Sequence, residues 1–282
     1  MKRDNRNKNK VHITVLQAGV SVSYFQHLLA CFQYRDLLRM LSYRDLRVRY
    51  AQTFLGITWA LINPVIAVLL LYFVFSIVAK VDTNGVPPLL FTMAGLCSWT
   101  YFTRVINDAG HSIVGAQILV KKVYFPRLII PLSKVLSGLV DFVIVLILLF
   151  ILILVYRIPF HTQMLMIFPF ILLTILAGTG FGVWVAALSI RYRDFGQIVP
   201  VILRIGMFIS PIAYGASLVP EKYRWIYNLN PLTGIIEGFR WSLFNTPLDP
   251  VSVWVSLIMV IVVLLSGFWY FFRLDQFIAD II

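Results

Sequence analysis

The side chains best suited to metal or nucleophilic chemistry are four histidines, His12, His27, His111 and His161, and two cysteines, Cys31 and Cys97. None stands at a ligand or relay spacing from another, so we expect no metal site and no disulfide framework. The 12 acidic residues are mostly single and form no D-x-D pair. A hydrolase or glycosyltransferase built into a membrane needs carboxylates for proton transfer or for a metal-bound diphosphate, and a loop cluster of that kind is missing. No G-x-x-x-x-G-K-[ST] phosphate loop occurs. The dense glycine run Gly178, Gly180 and Gly182 (GTGFG) lies inside an apolar stretch with no preceding strand, which reads as close helix packing.

What remains are charges inside apolar runs, the default suspects for function in a membrane. Asp141 and Arg204 each fall six residues into an apolar run from the same side, about 9 Å deep at 1.5 Å per residue. They are expected to pair across two helices as a structural ion pair. Asn63-Pro64, Pro200 and Pro211 suggest kinks. The clusters Trp99-Thr100-Tyr101-Phe102 and Tyr223-Arg224-Trp225-Ile226-Tyr227 read as interface-belt or core residues that could also stack on sugar faces.

The elements that must position these groups follow from composition. The chain has 282 residues, 60% hydrophobic and 13% charged, against roughly 45–50% and 25% in a soluble domain. It is expected to be an all-α polytopic membrane protein. About 20 apolar residues make a span, and six are read: Phe54 to Ala79, Pro88 to Ile106, Val135 to Tyr156, Met164 to Ile190, Ile198 to Leu218 and Val251 to Phe272. Arg104 falls near the end of the second, where it can snorkel to the interface. No h-region precedes a cleavage site near the start, so the first span is expected to act as the insertion signal. Nineteen of the 24 Lys and Arg flank one side of these spans. Both termini, and residues 107 to 134, are therefore expected to be cytoplasmic. Topology accounts for the net charge of +12 without nucleic acid.

Two segments do not fit an up-and-down bundle. Residues 219 to 250 contain Pro220, Pro231, Pro247 and Pro250 around an apolar stretch too short to span. It reads either as a re-entrant helix buried in protein or as a surface helix, on which Phe239, Trp241 and Phe244 would face water. Residues 34 to 53 place Tyr34, Leu37, Leu38, Leu41 and Val48 on one helical arc with arginines outside it, an amphipathic helix on the inner membrane surface. A simple positive-inside retention signal would look the same. Asp45 falls within the apolar arc, so either the helix breaks near Ser42 to Asp45 or the carboxylate faces a protein partner.

The strings Tyr43-Arg-Asp-Leu-Arg-Val-Arg-Tyr50, Gln52-Thr-Phe-Leu-Gly-Ile-Thr-Trp-Ala-Leu-Ile-Asn-Pro64, Lys122-Val-Tyr-Phe-Pro-Arg127, Arg191-Tyr-Arg-Asp194 and Asn230-Pro-Leu-Thr-Gly-Ile-Ile-Glu-Gly-Phe-Arg-Trp241 resemble the membrane subunit of ABC-2 type transporters that export polysaccharides. O-antigen and related lipopolysaccharide exporters are most similar, with capsule and teichoic-acid permeases as cousins. The resemblance covers residues 34 to 275. It leaves out a polar region, 1–33, and a tail, 276–282.

The resemblance implies a homodimer that carries two copies of a cytoplasmic ATPase, where ATP and Mg bind, while this chain holds no cofactor. It implies a coupling helix within 107–120, with Asn107, His111, Ser112, Ile113, Val114, Gly115 and Ala116 against the ATPase. It also implies outer gate helices within 219–250, with Pro231, Glu237, Phe239, Arg240, Trp241 and Phe244 at the gate, and export of an undecaprenyl-diphosphate-linked glycan across the bacterial inner membrane. Arg47 and Arg49 are expected to attract the diphosphate, because a guanidinium binds phosphate oxygens in a fork; contact with anionic lipid heads would use the same chemistry. A stand-alone secondary transporter or flippase would need internal repeats or several intramembrane charges, and neither is found.

Overall fold

The computed structural model describes residues 31–51, 56–192 and 194–275, and among these every regular element is helical. Most of the polar N-terminal region, the C-terminal tail, residues 52–55 of the long motif and Arg193 lie outside the described residues.

Helix α1 (Arg35–Tyr50) precedes α2 (Trp59–Leu71), which a 3-10 turn at Gly56–Thr58 opens and a π-helical stretch, Tyr72–Val78, extends. Then come α3 (Pro88–Gly110), the short α4 (Ser112–Gly115) and α5 (Gln117–Lys122), α6 (Ile129–Val155) and α7 (Ile167–Arg191), the last entered through a 3-10 turn at Thr162–Met166. The chain ends with α8 (Phe195–Ile209), α9 (Glu221–Asn228), α10 (Pro231–Phe244) and α11 (Pro250–Asp275).

Among the described residues, five stretches are long and apolar enough to cross a membrane: Gly56–Val78, Pro88–Gly110, Ile129–Val155, Thr162–Arg191 and Pro250–Asp275. The fifth expected span, Ile198 to Leu218, is instead the 15-residue α8. At 1.5 Å per residue that is about 22 Å, short of a hydrocarbon core of roughly 30 Å. Pro211 is the reason: it disfavours helix at the residue before it, and Ser210 is extended at ψ 148°.

The bundle is arranged by polarity. In the most apolar 18 residues of α3, 78% are buried, against 17% for the first span and 22% for the last. Helix α3 carries Thr92, Ser98, Thr100, Thr103 and Arg104, a polar content that favours the inside of the bundle over contact with lipid. It packs against α6, α7 and α10. The almost wholly apolar α2 and α11 lie at the periphery, presenting Leu69, Leu70 and Phe73 on one and Trp254, Ile258 and Leu265 on the other. The glycine run does serve packing: a Cβ on Gly180 would stand 2.9 Å from the Leu264 backbone of α11, and one on Gly267 would stand 2.8 Å from the Gly180 carbonyl.

Helix α1 runs unbroken through Ser42 to Asp45 and lies along α6. Ser42 Oγ donates to the Ser133 carbonyl at 3.1 Å. The carboxylate of Asp45 meets Lys134 Nζ at 2.6 Å and Arg44 Nη2 at 3.0 Å. The partner that Asp45 needed is therefore in its own chain.

Candidate functional site

The C-terminal end of α1, the last turns of α3 and the first half of α6 converge at the end of the bundle that is rich in Lys and Arg. Asp141 on α6 is buried and shared by two guanidiniums: Arg49 Nη1 lies 3.0 Å from Oδ2, and Arg104 Nε lies 2.9 Å from the same oxygen. Tyr50 Oη donates to the other oxygen. Asp108, one turn beyond Arg104, accepts from Arg49 Nη2 at 2.6 Å and lies 3.8 Å from Arg104 Nε. Two carboxylates and two guanidiniums thus form one closed cluster.

Burial opposes the charge on Arg49, but Asp108 and Asp141 outweigh it, and the guanidinium is held above its ordinary pKa. The Tyr50 phenol is also pushed up, first by burial and then by its hydrogen bond to Asp141. In a site of reduced dielectric these attractions exceed those of a surface pair.

The expected Asp141–Arg204 pair does not form. Asp141 is satisfied from α1 and α3, whereas Arg204 sits on α8, which packs against α3 and α7. Equal depth was a sound inference, but depth alone does not say which helices are neighbours.

Beside the cluster lies a cavity of about 590 Å³, bordered by Arg49, Tyr50, Arg104 and Asp141 and by Trp59, Asn63 and Thr100 from the facing helices. On α2, Ala60, Asn63, Pro64 and Ala67 line it, the spacing of one helical face. Arg49 closes this cavity inward, while Arg47 is exposed on the opposite flank of α1.

The other end of the bundle holds a second charged centre. Arg240 on α10 is fully buried at 0% exposure. Its guanidinium donates to the carbonyls of Ile212 at 2.7 Å, Tyr214 at 3.1 Å and Phe91 at 3.3 Å. It also pairs with Glu237 at 3.1 Å and lies 3.5 Å over the Phe91 ring. Glu237 further accepts from the Ala216 N–H at 3.2 Å. The non-helical segment after α8 is thereby tied to α10 through three of its backbone groups. Tyr214 Oη adds bonds to the Phe208 and Ile209 carbonyls, which end α8 without partners within the helix.

Helix α10 is bounded by its own chemistry. Asn230 caps its start by accepting from Leu232 N at 3.1 Å, Pro231 occupies its first turn, and Asn245 closes it in the left-handed conformation at φ 56°. It is buried against α3, α7 and α11 rather than lying on a surface. A Cβ on Gly238 would fall 2.0 Å from the Phe170 ring of α7, so any other residue here requires that ring to move. Of the expected gate residues, Phe239 is fully buried in its own chain's core. Trp241 and Phe244 are half-buried.

In the α3–α5 region, Asn107 and His111 are joined by a 2.8 Å bond from the imidazole Nδ1 to the Asn107 carbonyl. Ser112 donates to the Ala109 carbonyl at 2.6 Å. Ile113 is buried against the ends of α6 and α7, whereas Val114 and Ala116 are half-buried and Gly115 is exposed. The large exposed side chains of this region are Ile118, Val123 and Tyr124, beside Lys121 and Lys122. The cluster Trp99, Tyr101 and Phe102 is internal: Tyr101 packs on Phe142 at 4.8 Å and Phe102 on Phe181 at 5.3 Å.

A buried central helix carrying polar groups, surrounded by long apolar helices, describes a polytopic membrane protein, and residues 36–244 match the ABC-2 type transporter family. The chain belongs to that family. Among its relatives is the O-antigen export system permease protein RfbA of Klebsiella pneumoniae, 27% identical over 88% of this chain and 95% of that protein. The protein of the same name in Myxococcus xanthus is 29% identical over 83% of this chain and 90% of its own. The polysialic acid transport protein KpsM of Escherichia coli is 23% identical over 70% of this chain and 77% of that protein.

Proposed function

We propose that this chain is the permease half of an ATP-driven exporter of a lipid-linked polysaccharide of the O-antigen class. Two copies would form the pathway and two copies of a separate ATPase would drive it from the cytoplasmic side of a bacterial inner membrane, with both termini on that side. The observation that carries the reading is the match of nearly the whole chain to permeases named for O-antigen export. The likeness to a polysialic acid transporter keeps capsule export as the second reading.

The geometry gives this proposal a mechanism in parts. The exposed apolar and basic patch of Ile118, Lys121, Lys122, Val123 and Tyr124 is the surface we assign to the ATPase. Force applied there would pass from α5 to α4, which packs on both α3 and α6. The same two helices hold Asp108, Arg104 and Asp141, so their displacement would loosen the grip on Arg49 at the end of α1. Arg47 would meet a lipid diphosphate first, and Arg49 would join only after giving up its two carboxylates. At the far end, α10 would move as a body with the segment that Arg240 ties to it, its half-buried Trp241 and Phe244 facing the pathway.

The test is a deletion strain complemented with the chain, read by a surface-glycan blot and by co-purification of an ATPase subunit. Complementation and co-purification are expected. Surface glycan that is unchanged in the deletion strain would refute the export reading. Within this scheme Ile118→Asp is expected to abolish export while the permease still inserts, whereas Ile113→Asp would fail earlier, by burying charge inside the permease itself.

A further inference from the structure

At the end of the bundle opposite the basic cluster, a pocket of about 290 Å³ opens among α9, α10 and the start of α11. Its size is at the lower end of the roughly 300–1,000 Å³ of small-molecule sites, enough for one ring-sized group. Arg224 and Asn228 stand one helical turn apart on α9 and reach it from one side. Asp249 faces them, and Asn84 and Ser217 complete the polar rim.

The lining restricts what fits. An anion would meet the carboxylate of Asp249. A metal cation would meet the Arg224 guanidinium, while Glu237 is already neutralised by Arg240 at 3.1 Å. A wholly apolar ligand would cover the polar groups of Asn84 and Arg224 without offering them a hydrogen bond. What matches donors and acceptors of both kinds, together with the apolar wall of Pro247 and Leu248, is a neutral polyhydroxylated ring, with hydroxyls on its edge and C–H groups on its face.

The rim is also built. The Asn84 amide is presented from a turn locked by Thr83 Oγ1 donating to the Val86 carbonyl at 2.6 Å and Asn84 N donating to Asp82 Oδ1 at 3.0 Å. Asp249 is oriented by the Val251 N–H at 3.0 Å and lies 3.5 Å from the buried Asn228 Nδ2, a long contact that leaves both groups with bonding capacity for a third partner.

We infer that this pocket is a saccharide subsite that holds one neutral sugar residue of the glycan at the exit of the permease. The inference rests on the export reading and adds to it a named place of contact. Because Glu237 borders the pocket and also holds Arg240 and Ala216, occupancy would be felt by the segment that links α8 to α10.

The experiment uses the full permease with its ATPase in nanodiscs. The probe is a fragment of a few repeat units, released by mild acid from the surface polysaccharide of the host strain and observed by saturation-transfer NMR. Transfer to sugar-ring protons is expected with the wild type. It should fall at least fivefold in Arg224→Ala and in Asp249→Asn, both on the rim, and stay unchanged in Lys222→Ala on the same helix. No transfer to the wild type, or equal transfer to all variants, would overturn the subsite. The surface-glycan blot of the deletion strain judges the export reading separately: loss of glycan there combined with absent transfer condemns the subsite alone.

Discussion

The two buried charge centres of this chain are built on opposite plans. Around Asp141 a buried anion is shared by cations that arrive on different helices, and Arg49, Arg104 and Asp108 keep between 25% and 30% exposure beside an open cavity. Around Arg240 a buried cation at 0% exposure is held mostly by backbone carbonyls of its own bundle. Side-chain partners can be exchanged for one another or for a ligand at modest cost, because each carries its own solvation and rotamers. Carbonyls of a packed segment cannot turn away without unfolding it. The first centre is therefore suited to rearrange during a cycle, and the second to keep two elements together throughout.

The sharpest way to break this comparison is at Arg240. Removing it leaves three carbonyls and Glu237 buried without their donor, and losing one partner of a buried pair typically costs about 3–5 kcal/mol. Arg240→Ala is expected to lower the monodisperse detergent-solubilised protein by about tenfold or more. Arg240→Lys restores the charge but not the planar fork, so it should recover only part. The measurement is size-exclusion with fluorescence detection. Normal yield of the alanine variant would show that the outer centre is dispensable to the fold.

Asp141 is expected to behave differently. Asp141→Asn leaves Arg49 and Arg104 facing each other with Asp108 alone between them, and export should be lost while yield falls only severalfold. The second substitution Arg49→Gln should restore part of the yield, because it removes the repulsion the first created. Arg204→Gln should combine with Asp141→Asn additively, within about 0.5 kcal/mol in a thermal-melt cycle. Strong coupling to Arg204 and none to Arg49 would invert the assignment made here.

The difference between the centres also explains what could be read in advance. Hydropathy locates five long helices, because lipid imposes one rule on every exposed side chain, and the apolar arc of residues 34 to 53 locates α1 as a helix. It also announced that Asp141 needs a partner, since a lone carboxylate at that depth has none in lipid. It did not name Arg104 and Arg49, because the neighbour relations of α1, α3 and α6 are tertiary. Two local signals were available: Asp108 follows Arg104 at i+4, and Arg49 precedes Tyr50 at the helix end. The short α8 was overestimated because Pro211 was read as a kink inside a span, when Ser210 and Pro211 end the helix. The gate role of Phe239 and the coupling role of Ile113 come from the resemblance; core and contact residues share hydrophobicity, so residue type does not say that both side chains are buried in this chain.

The smallest effect, and the one that refines the comparison most, concerns how α1 is held. If the Asp141 centre is a releasable grip, α1 needs a second attachment that does not depend on it. Asp45 with Lys134 supplies one: 2.6 Å apart, with side chains 10% and 18% exposed, and steadied by the nearby Ser42 to Ser133 bond. An exposed pair would contribute about 0.2–1 kcal/mol, and this half-sheltered one is expected near the top of that range. Lys134→Gln should leave yield and export within twofold of wild type. Combined with Asp141→Asn, it should free α1, raising the rate at which a thiol reagent modifies a cysteine placed at Leu38 severalfold beyond either single variant. Equal rates in the single and double variants would mean that apolar packing along α6 holds α1 by itself, and the ion pairs only set where its last turn points.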